Sequence, residues 1–582
     1  MDLFDVLSMI GGLAMFLYGM TVMGEGLERS AGSKLKSILE SLTSSPIKGF
    51  LVGLAVTAVI QSSSATTVMV VGFVNSGIMT LRQAIGIIMG ANVGTTATAW
   101  ILSLGGIEGS NIFLQLLKPS SFTPILGLIG VILYVFLKDP KRKDIGMILL
   151  GFTVLMAGMD TMSAAVEGLK DVPEFTNLLL MFNNPILGVL AGALLTAAIQ
   201  SSSASVGILQ ALSVTGAVTF GSAIPIIMGQ NIGTTVTALI SSVGTNRNAR
   251  RAALVHMYFN IVGTVICLTG FTLLNAVFQF PWINDPVGRA QIATVHTIFN
   301  VTCTAIMLPL SGLLEKLAYL TVPSEKTEQK ISLLDERLMV TPSVALEQAK
   351  RVSVEMAERT KEAYVKAMGL LTAWSDADAD FVRQVEDEVD EFEDTLGSYL
   401  VKLSGKNLSA DDGVELNLLL HTFSDVERIS DHAKSILISA KNLHENERLF
   451  SADAQQELSV VSSAVVEVLD LAIEAFDKMN LEAAVRVEPL EQNVDRLCNK
   501  IRERHIMRLR EGSCTQRQGM IFTDILSDLS RISDHCSNIA VSAIENSKAS
   551  FDVHRYLNEV KTQDADFRKV YEEYAQKYTL QR

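Results

Sequence analysis

The chain is predicted to be all-α. Its first part reads as a polytopic membrane protein with inverted repeats and two re-entrant hairpins, and its second as a soluble bundle of six helices. Three observations predict this. Residues up to about 322 hold long apolar runs with few charges, whereas the remainder is acidic and rich in helix formers. A polar motif, Gln61-Ser62-Ser63-Ser64-Ala65, sits inside an apolar stretch and returns as Gln200-Ser201-Ser202-Ser203-Ala204. A second motif follows each copy: Asn92-Val93-Gly94-Thr95-Thr96-Ala97-Thr98-Ala99, then Asn231-Ile232-Gly233-Thr234-Thr235-Val236-Thr237-Ala238. All of these positions are related by one offset of 139 residues.

Charge separates the halves. Up to Pro323 there are 16 Lys and Arg against 14 Asp and Glu, leaving 32 basic and 48 acidic residues beyond it. The acidic balance of the second half argues against nucleic acid as a partner. The five cysteines fit neither a disulfide framework nor a CxxC metal pattern. Asp2 and Asp5 stand where a signal peptide would be basic, so the first apolar run is expected to be a retained helix.

Apolar runs long enough to cross a bilayer lie near residues 6–27, 83–104, 121–137, 145–166, 220–243, 252–275 and 290–318. The stretches at 47–78 and 186–218 carry the Gln-Ser-Ser-Ser motifs at their middles. Each is too long for one untilted span and too polar at its centre, so each is read as a hairpin that enters and leaves on one side. Loop charge supports this. With two non-crossing hairpins, the clusters Arg29/Lys34/Lys36/Lys48, Lys138/Lys141/Arg142/Lys143 and Arg247/Arg250/Arg251 all fall on the side of the soluble half. The positive-inside rule makes that side cytoplasmic and puts the N-terminus and the loops at 105–120, 167–184 and 276–289 outside. Three crossings and one hairpin per repeat invert the second copy, so the two motif pairs meet near the midplane.

Broken helices offer free backbone N–H groups at half-helix N-termini, which suit anions. The motif hydroxyls add donors. The amide oxygens of Gln61, Gln200, Asn92 and Asn231, with the Ser and Thr oxygens, suit a hard cation such as sodium. Ser, Thr and Gly also pack membrane helices without further purpose. Concentrating so many polar groups twice in lipid argues against that here. A smaller recurrence, Val255-His256…Asn260 and Val295-His296…Asn300, is read as interhelical hydrogen bonding in preference to a proton or substrate contact. Glu25 and Asp160 lie towards span ends and read as interfacial.

The membrane motifs resemble those of the sodium-phosphate cotransporter family, whose animal members are the type II cotransporters; the likeness covers roughly residues 5–320. It implies phosphate binding by Gln61, Ser62, Ser63, Ser64, Gln200, Ser201, Ser202 and Ser203. It implies sodium binding by the two glutamines with Thr95, Thr96, Thr98, Thr234, Thr235 and Thr237, beside Asn92 and Asn231. Ala97 and Val236 interrupt the threonine run and supply no hydroxyl.

Beyond a charged linker, 323–341, apolar residues recur at helical spacing near 342–371, 376–404, 412–442, 453–479, 481–511 and 517–546, with a charged tail helix near 553–578. This half also repeats. Asp425, Arg428, Asp431 and His432 return as Asp528, Arg531, Asp534 and His535, and Glu386…Asp390 as Glu491…Asp495. Each set shares a helix face. Facing carboxylates with His could hold a metal ion, and a buried Arg–Asp network fixing the bundle is the alternative. This half resembles the PhoU family, whose members regulate phosphate uptake and several of which bind metal clusters; Ser530 replaces the Glu427 of the first copy.

The expected domains are therefore a transmembrane domain at 1–322 (repeats at about 5–140 and 145–276, an extra helix at 290–318), a linker at 323–341, a cytosolic PhoU-like domain at 342–550 and a tail at 551–582. The expected function is sodium-coupled import of inorganic phosphate across the cytoplasmic membrane, without enzymatic chemistry. The bundle would regulate, through a homodimer or regulatory protein contacts. The alternatives are a phosphate-sensing receptor without turnover and a proton-coupled oxyanion transporter. A serine hydrolase is disfavoured, because a nucleophile has no need of an inverted twin.

Overall fold

A computed structural model describes residues 3–40, 45–106, 118–323, 334–446, 449–512, 514–547 and 565–580. Most of the expected 105–120 loop, residues 324–333 of the linker and the start of the tail helix lie outside the described residues. The described residues contain helices and no β-strand, only an isolated bridge between Thr219 and Pro286. The chain divides into two compact units, one running to Ala345 and the other formed by Leu346–Lys406 and Ala410–Arg582.

The first unit begins with α1 (Leu3–Glu40), α2 (Pro46–Ile60), α3 (Ser63–Asn75), α4 (Leu81–Gly94) and α5 (Thr96–Ser103). Next come α6 (Pro119–Val131), α7 (Pro140–Glu167), α8 (Pro173–Met181), α9 (Pro185–Ile199), α10 (Ser202–Leu212) and α11 (Phe220–Ser241). It closes with α12 (Arg247–Phe278), α13 (Arg289–Met307) and α14 (Ser311–Thr321). Proline at the first turn starts α2, α6, α7 and α9, where its missing N–H would be unpaired anyway. Asn184 and Asn246 cap α9 and α12 by accepting backbone N–H groups at 3.0 and 2.9 Å.

Six helical spans among the described residues are long and apolar enough to cross a membrane. The extra helix expected at 290–318 is two helices: α13 and α14 meet at an 81° bend. Pro309 lies in the break, where it removes a helix donor and clashes with the preceding turn.

Close backbone contacts set the directions of the helices. A β-carbon on Gly86 would lie 2.6 Å from the Pro46 carbonyl oxygen, one on Gly90 2.0 Å from that of Phe50, and one on Gly94 2.8 Å from that of Leu54. Thus α2 and α4 lie side by side and run the same way. Since α3 starts beyond the end of α2 and finishes just before the start of α4, it must run back between them. The second repeat copies this: Gly192 meets the Ile226 carbonyl oxygen, Gly229 that of Val189 and Gly233 that of Ala193, at 2.1, 2.0 and 2.4 Å.

The counterparts α1 and α7 pack against each other in opposite directions. Gly12 meets the carbonyl oxygen of Gly158, Gly19 that of Gly151 and Gly26 that of Asp144, at 3.0, 2.7 and 3.0 Å. Only a glycine face lets two backbones approach so closely.

The second unit is a bundle of α15 (Pro342–Leu370), α16 (Asp376–Ser404), α17 (Ala410–Glu445), α18 (Ala452–Lys478), α19 (Leu481–Arg510) and α20 (Gln516–Ser547). All six match the expected segments to within a turn. Ser375, Ser451 and Asn480 cap α16, α18 and α19. The described part of the tail helix, α21 (Ala565–Lys577), lies on α19, with Tyr574 buried and the Tyr571 carbonyl accepting Asn493 Nδ2 at 3.0 Å.

Candidate functional site: a cavity between two broken helices

Each Gln-Ser-Ser-Ser motif is a break between helices. Gln61 and Gln200 end α2 and α9 with φ at 59°, a left-handed conformation that costs a non-glycine residue about 1–2 kcal/mol. Ser62 and Ser201 follow in extended backbone and cap α3 and α10, their hydroxyls accepting Ala65 N–H at 3.1 Å and Ala204 N–H at 3.2 Å. The chain therefore unwinds for about two residues and restarts with helix N-terminal N–H groups at the break.

The two breaks, 139 residues apart in sequence, line one cavity of about 230 Å³. That is roughly eight water volumes at about 30 Å³ each, enough for a small oxyanion with ions or water. Gln61, Ser62, Ser63 and Ser64 face it from one side, Gln200, Ser201, Ser202 and Ser203 from the other, and the Ser64 hydroxyl donates to the Gln200 carbonyl at 3.4 Å. No Lys or Arg is among the described lining residues. Glu25 and Glu28 of α1 are. Reading Glu25 as interfacial missed this, and Glu28 was missed altogether; their position three apart on a helix beside the motif was the available signal. Asp160 instead stands 4.0 Å from Arg289. A larger, almost wholly apolar groove of about 740 Å³ lies between α11, α12 and α13, lined by residues such as Phe271, Trp282 and Ile298, and has no chemistry suited to an ion.

The Asn and Thr candidates lie behind the cavity wall. Thr98 donates to Gln61 Oε1 at 2.9 Å and so holds one motif glutamine, which is 7% exposed. Thr95 and Thr96 donate to carbonyls in the last turn of α4, and Thr234 and Thr235 to carbonyls of α11, leaving oxygen lone pairs for a cation. Asn92 donates to Ile88 O, whereas Asn231 donates to Asn300 Oδ1 at 2.8 Å and lies 3.3 Å from His296 Nε2.

The repeats are thus unequal. Gln200 is exposed to the cavity, and its would-be partner Thr237 has a buried hydroxyl with no hydrogen bond among the described residues. The second Val-His-x-x-Phe-Asn copy makes the expected interhelical bonds. The first does not, since both ring nitrogens of buried His256 lack a partner there.

In the bundle, the repeated motifs of α17 and α20 exchange partners. His432 Nδ1 pairs with Asp528 at 2.9 Å and His535 Nδ1 with Asp425 at 2.8 Å, the rings 5.8 Å apart. Arg428 and Arg531 bond Asp431 and Asp534 on their own helices. Lys434 binds Glu386 at 2.6 Å, and Ser530 donates to Asp495 at 2.9 Å.

Burial, with Asp431, Asp390 and Glu393 nearby, raises the Glu427 carboxyl against the pull of Arg428. Burial also raises Asp534, with Asp495 and Glu488 adding to it against Arg531 and His535. Asp390 and Asp495 therefore sit in matching acidic surroundings. Among the described residues, no three His, Cys, Asp or Glu groups are placed to hold one metal ion. Of the ten candidates, Glu386, Asp425, Asp431, His432, Asp495, Asp528, Asp534 and His535 make hydrogen bonds or ion pairs with neighbouring side chains. The two arginines are more than half exposed and pair only within their own helices, so they do not form the buried network of the alternative.

Residues 15–164 and 168–280 match the Na+/Pi-cotransporter family. The protein YqeW of Bacillus subtilis (strain 168) is 30% identical over 311 residues, 53% of this chain and 96% of that protein. The chain belongs to the Na+/Pi-cotransporter family. Residues 354–439 and 458–543 match the PhoU domain, so this family member carries a PhoU domain after its membrane unit. The phosphate export protein YjbB of Escherichia coli (strain K12) is 23% identical over 553 residues, 93% of this chain and 97% of that one. The sodium-dependent phosphate transport protein 2A of Rattus norvegicus is 25% identical over 193 residues, 31% of this chain and 29% of that one. A crystal structure of PhoU from Pseudomonas aeruginosa superposes with a TM-score of 0.34 at 22% identity, covering 35% of this chain and 99% of that one. The chain is accordingly a multi-pass membrane protein of a phosphate-transport family.

Proposed function

We propose that this chain is a sodium-coupled symporter that imports inorganic phosphate across the cytoplasmic membrane and catalyses no covalent reaction. Its N-terminus is outside, its PhoU domain is cytoplasmic, and that domain regulates transport. The observation that carries the reading is the shared cavity. It offers hydroxyls and helix N-termini to an oxyanion, has no cationic side chain among the described lining residues, and is faced by two glutamates. An anion entering such a site needs cations beside it, and oxygen-rich Thr and Gln groups suit sodium. Phosphate would sit between the Gln-Ser-Ser-Ser breaks, with sodium on Gln61, Gln200 and the Thr-rich segments behind them.

The return of α3 along α2, repeated by the second motif, supports re-entrant hairpins. The opposed directions of α1 and α7 support inverted repeats.

Export is the second reading, because YjbB, matched over 93% of this chain, is named for it. Proteoliposomes loaded with phosphate inside or outside, with a sodium gradient imposed in either direction, separate the two. Inward accumulation that follows inward sodium is expected. Flux indifferent to sodium, or driven outward against it, would replace this reading.

A further inference from the structure

Residues 334–340 lie outside both family matches and read in sequence as charged linker. In the structure they are packed on the first unit, where Glu336–Val340 forms a 3₁₀ turn. Asp335, 3% exposed, accepts Asn75 Nδ2 at 2.6 Å at the end of α3. Asn75 Oδ1 accepts the Asn246 N–H at 2.8 Å, and Asn246 Nδ2 donates to the Asn75 carbonyl at 2.8 Å. Arg337 lies 3.1 Å from Asp335 and donates to the carbonyls of Ser241 at 2.6 Å and Val243 at 3.0 Å. Leu338 is fully buried on Gly72, where a β-carbon would come within 2.9 Å of its side chain. One short strap therefore ties the returning arm of the first motif hairpin to the connection between α11 and α12 in the second repeat. Charge-assisted bonds of this kind are strong, and losing Arg337 leaves the buried Asp335 carboxylate without its cation.

We propose that this strap is a latch on transport. It holds α3 against the second repeat and so sets how fast the cavity changes sides. Because it runs directly into α15, it is the path by which the PhoU domain acts on the site. The inference rests on the transport reading above.

The test uses the full chain in proteoliposomes, with Asp335→Ala/Arg337→Ala as one variant and Leu338→Ala, which alters no charge, as a second should the first misfold. Sodium-driven phosphate flux and hydrogen exchange of peptides covering 334–341 are read together. Release should speed exchange and raise flux about threefold to tenfold at unchanged KM for phosphate. Faster exchange with flux unchanged or lowered overturns the latch, and so does exchange that does not change. A wild-type chain that moves no phosphate overturns the transport reading and the latch with it, whereas a wild type that transports normally beside a released, unaltered variant overturns the latch alone.

Discussion

Gln61 and Gln200 hold a backbone conformation that glycine adopts more cheaply, yet both positions carry a large amide. The side chain must therefore serve something other than the turn. Gln61→Gly should keep the break and relieve about 1 kcal/mol of strain, offsetting the lost bond to Thr98, so the melting temperature in detergent changes little. Phosphate flux should still fall at least about tenfold, the loss expected of a binding contact worth ~1.4 kcal/mol. A variant that transports normally would reduce Gln61 to a turn residue.

Glu427 allows a second test at this scale. Burial and Asp431 raise its carboxyl above the ordinary range, so the folded bundle favours the protonated form and loses stability as pH rises through that raised value. Glu427→Gln should slow hydrogen exchange in α17 at neutral pH and make no difference at pH below the ordinary carboxylate range. A stabilisation that persists in acid would contradict the charge argument.

Among the elements, the pairs α2/α4 and α9/α11 are held by glycine at one shared offset. Gly53→Ala and Gly192→Ala would each drive a β-carbon to 2.0 or 2.1 Å from a carbonyl oxygen. Each should cost about 2–3 kcal/mol or cause misfolding. Gly11→Ala, which meets nothing within 4 Å, should leave the thermal melt in detergent unchanged. Equal sensitivity at Gly11 and Gly53 would undo the packing argument.

The helix breaks at the Gln-Ser-Ser-Ser motifs and the bundle helices were legible because polar motifs in apolar runs and helical periodicity are local signals. The bend at Pro309 was present in the sequence but hidden by the surrounding hydropathy. The strap was not legible. Asp335 and Arg337 look like a solvated linker until Asn75 and the carbonyls of Ser241 and Val243 meet them, and only tertiary fit creates that burial. The pairing of His432 with Asp528 was illegible for the same reason: a shared helix face does not say which residue of the other helix lies opposite.

At the scale of the molecule, charge and composition separate a nearly neutral membrane unit from an acidic PhoU-bearing one. The membrane unit brings two copies of one motif to a single cavity whose described lining residues carry no fixed positive charge. On the proposed reading, transport depends on both copies at once, which a pair of independent sites would not require.

The most direct measurement is phosphate accumulation by proteoliposomes under an inward sodium gradient, compared among wild type, Gln61→Ala and Gln200→Ala. The expected result is sodium-dependent uptake by the wild type and its loss in each single variant. Uptake by the wild type without sodium, or half-maximal uptake retained in either variant, would contradict a shared, sodium-coupled phosphate site.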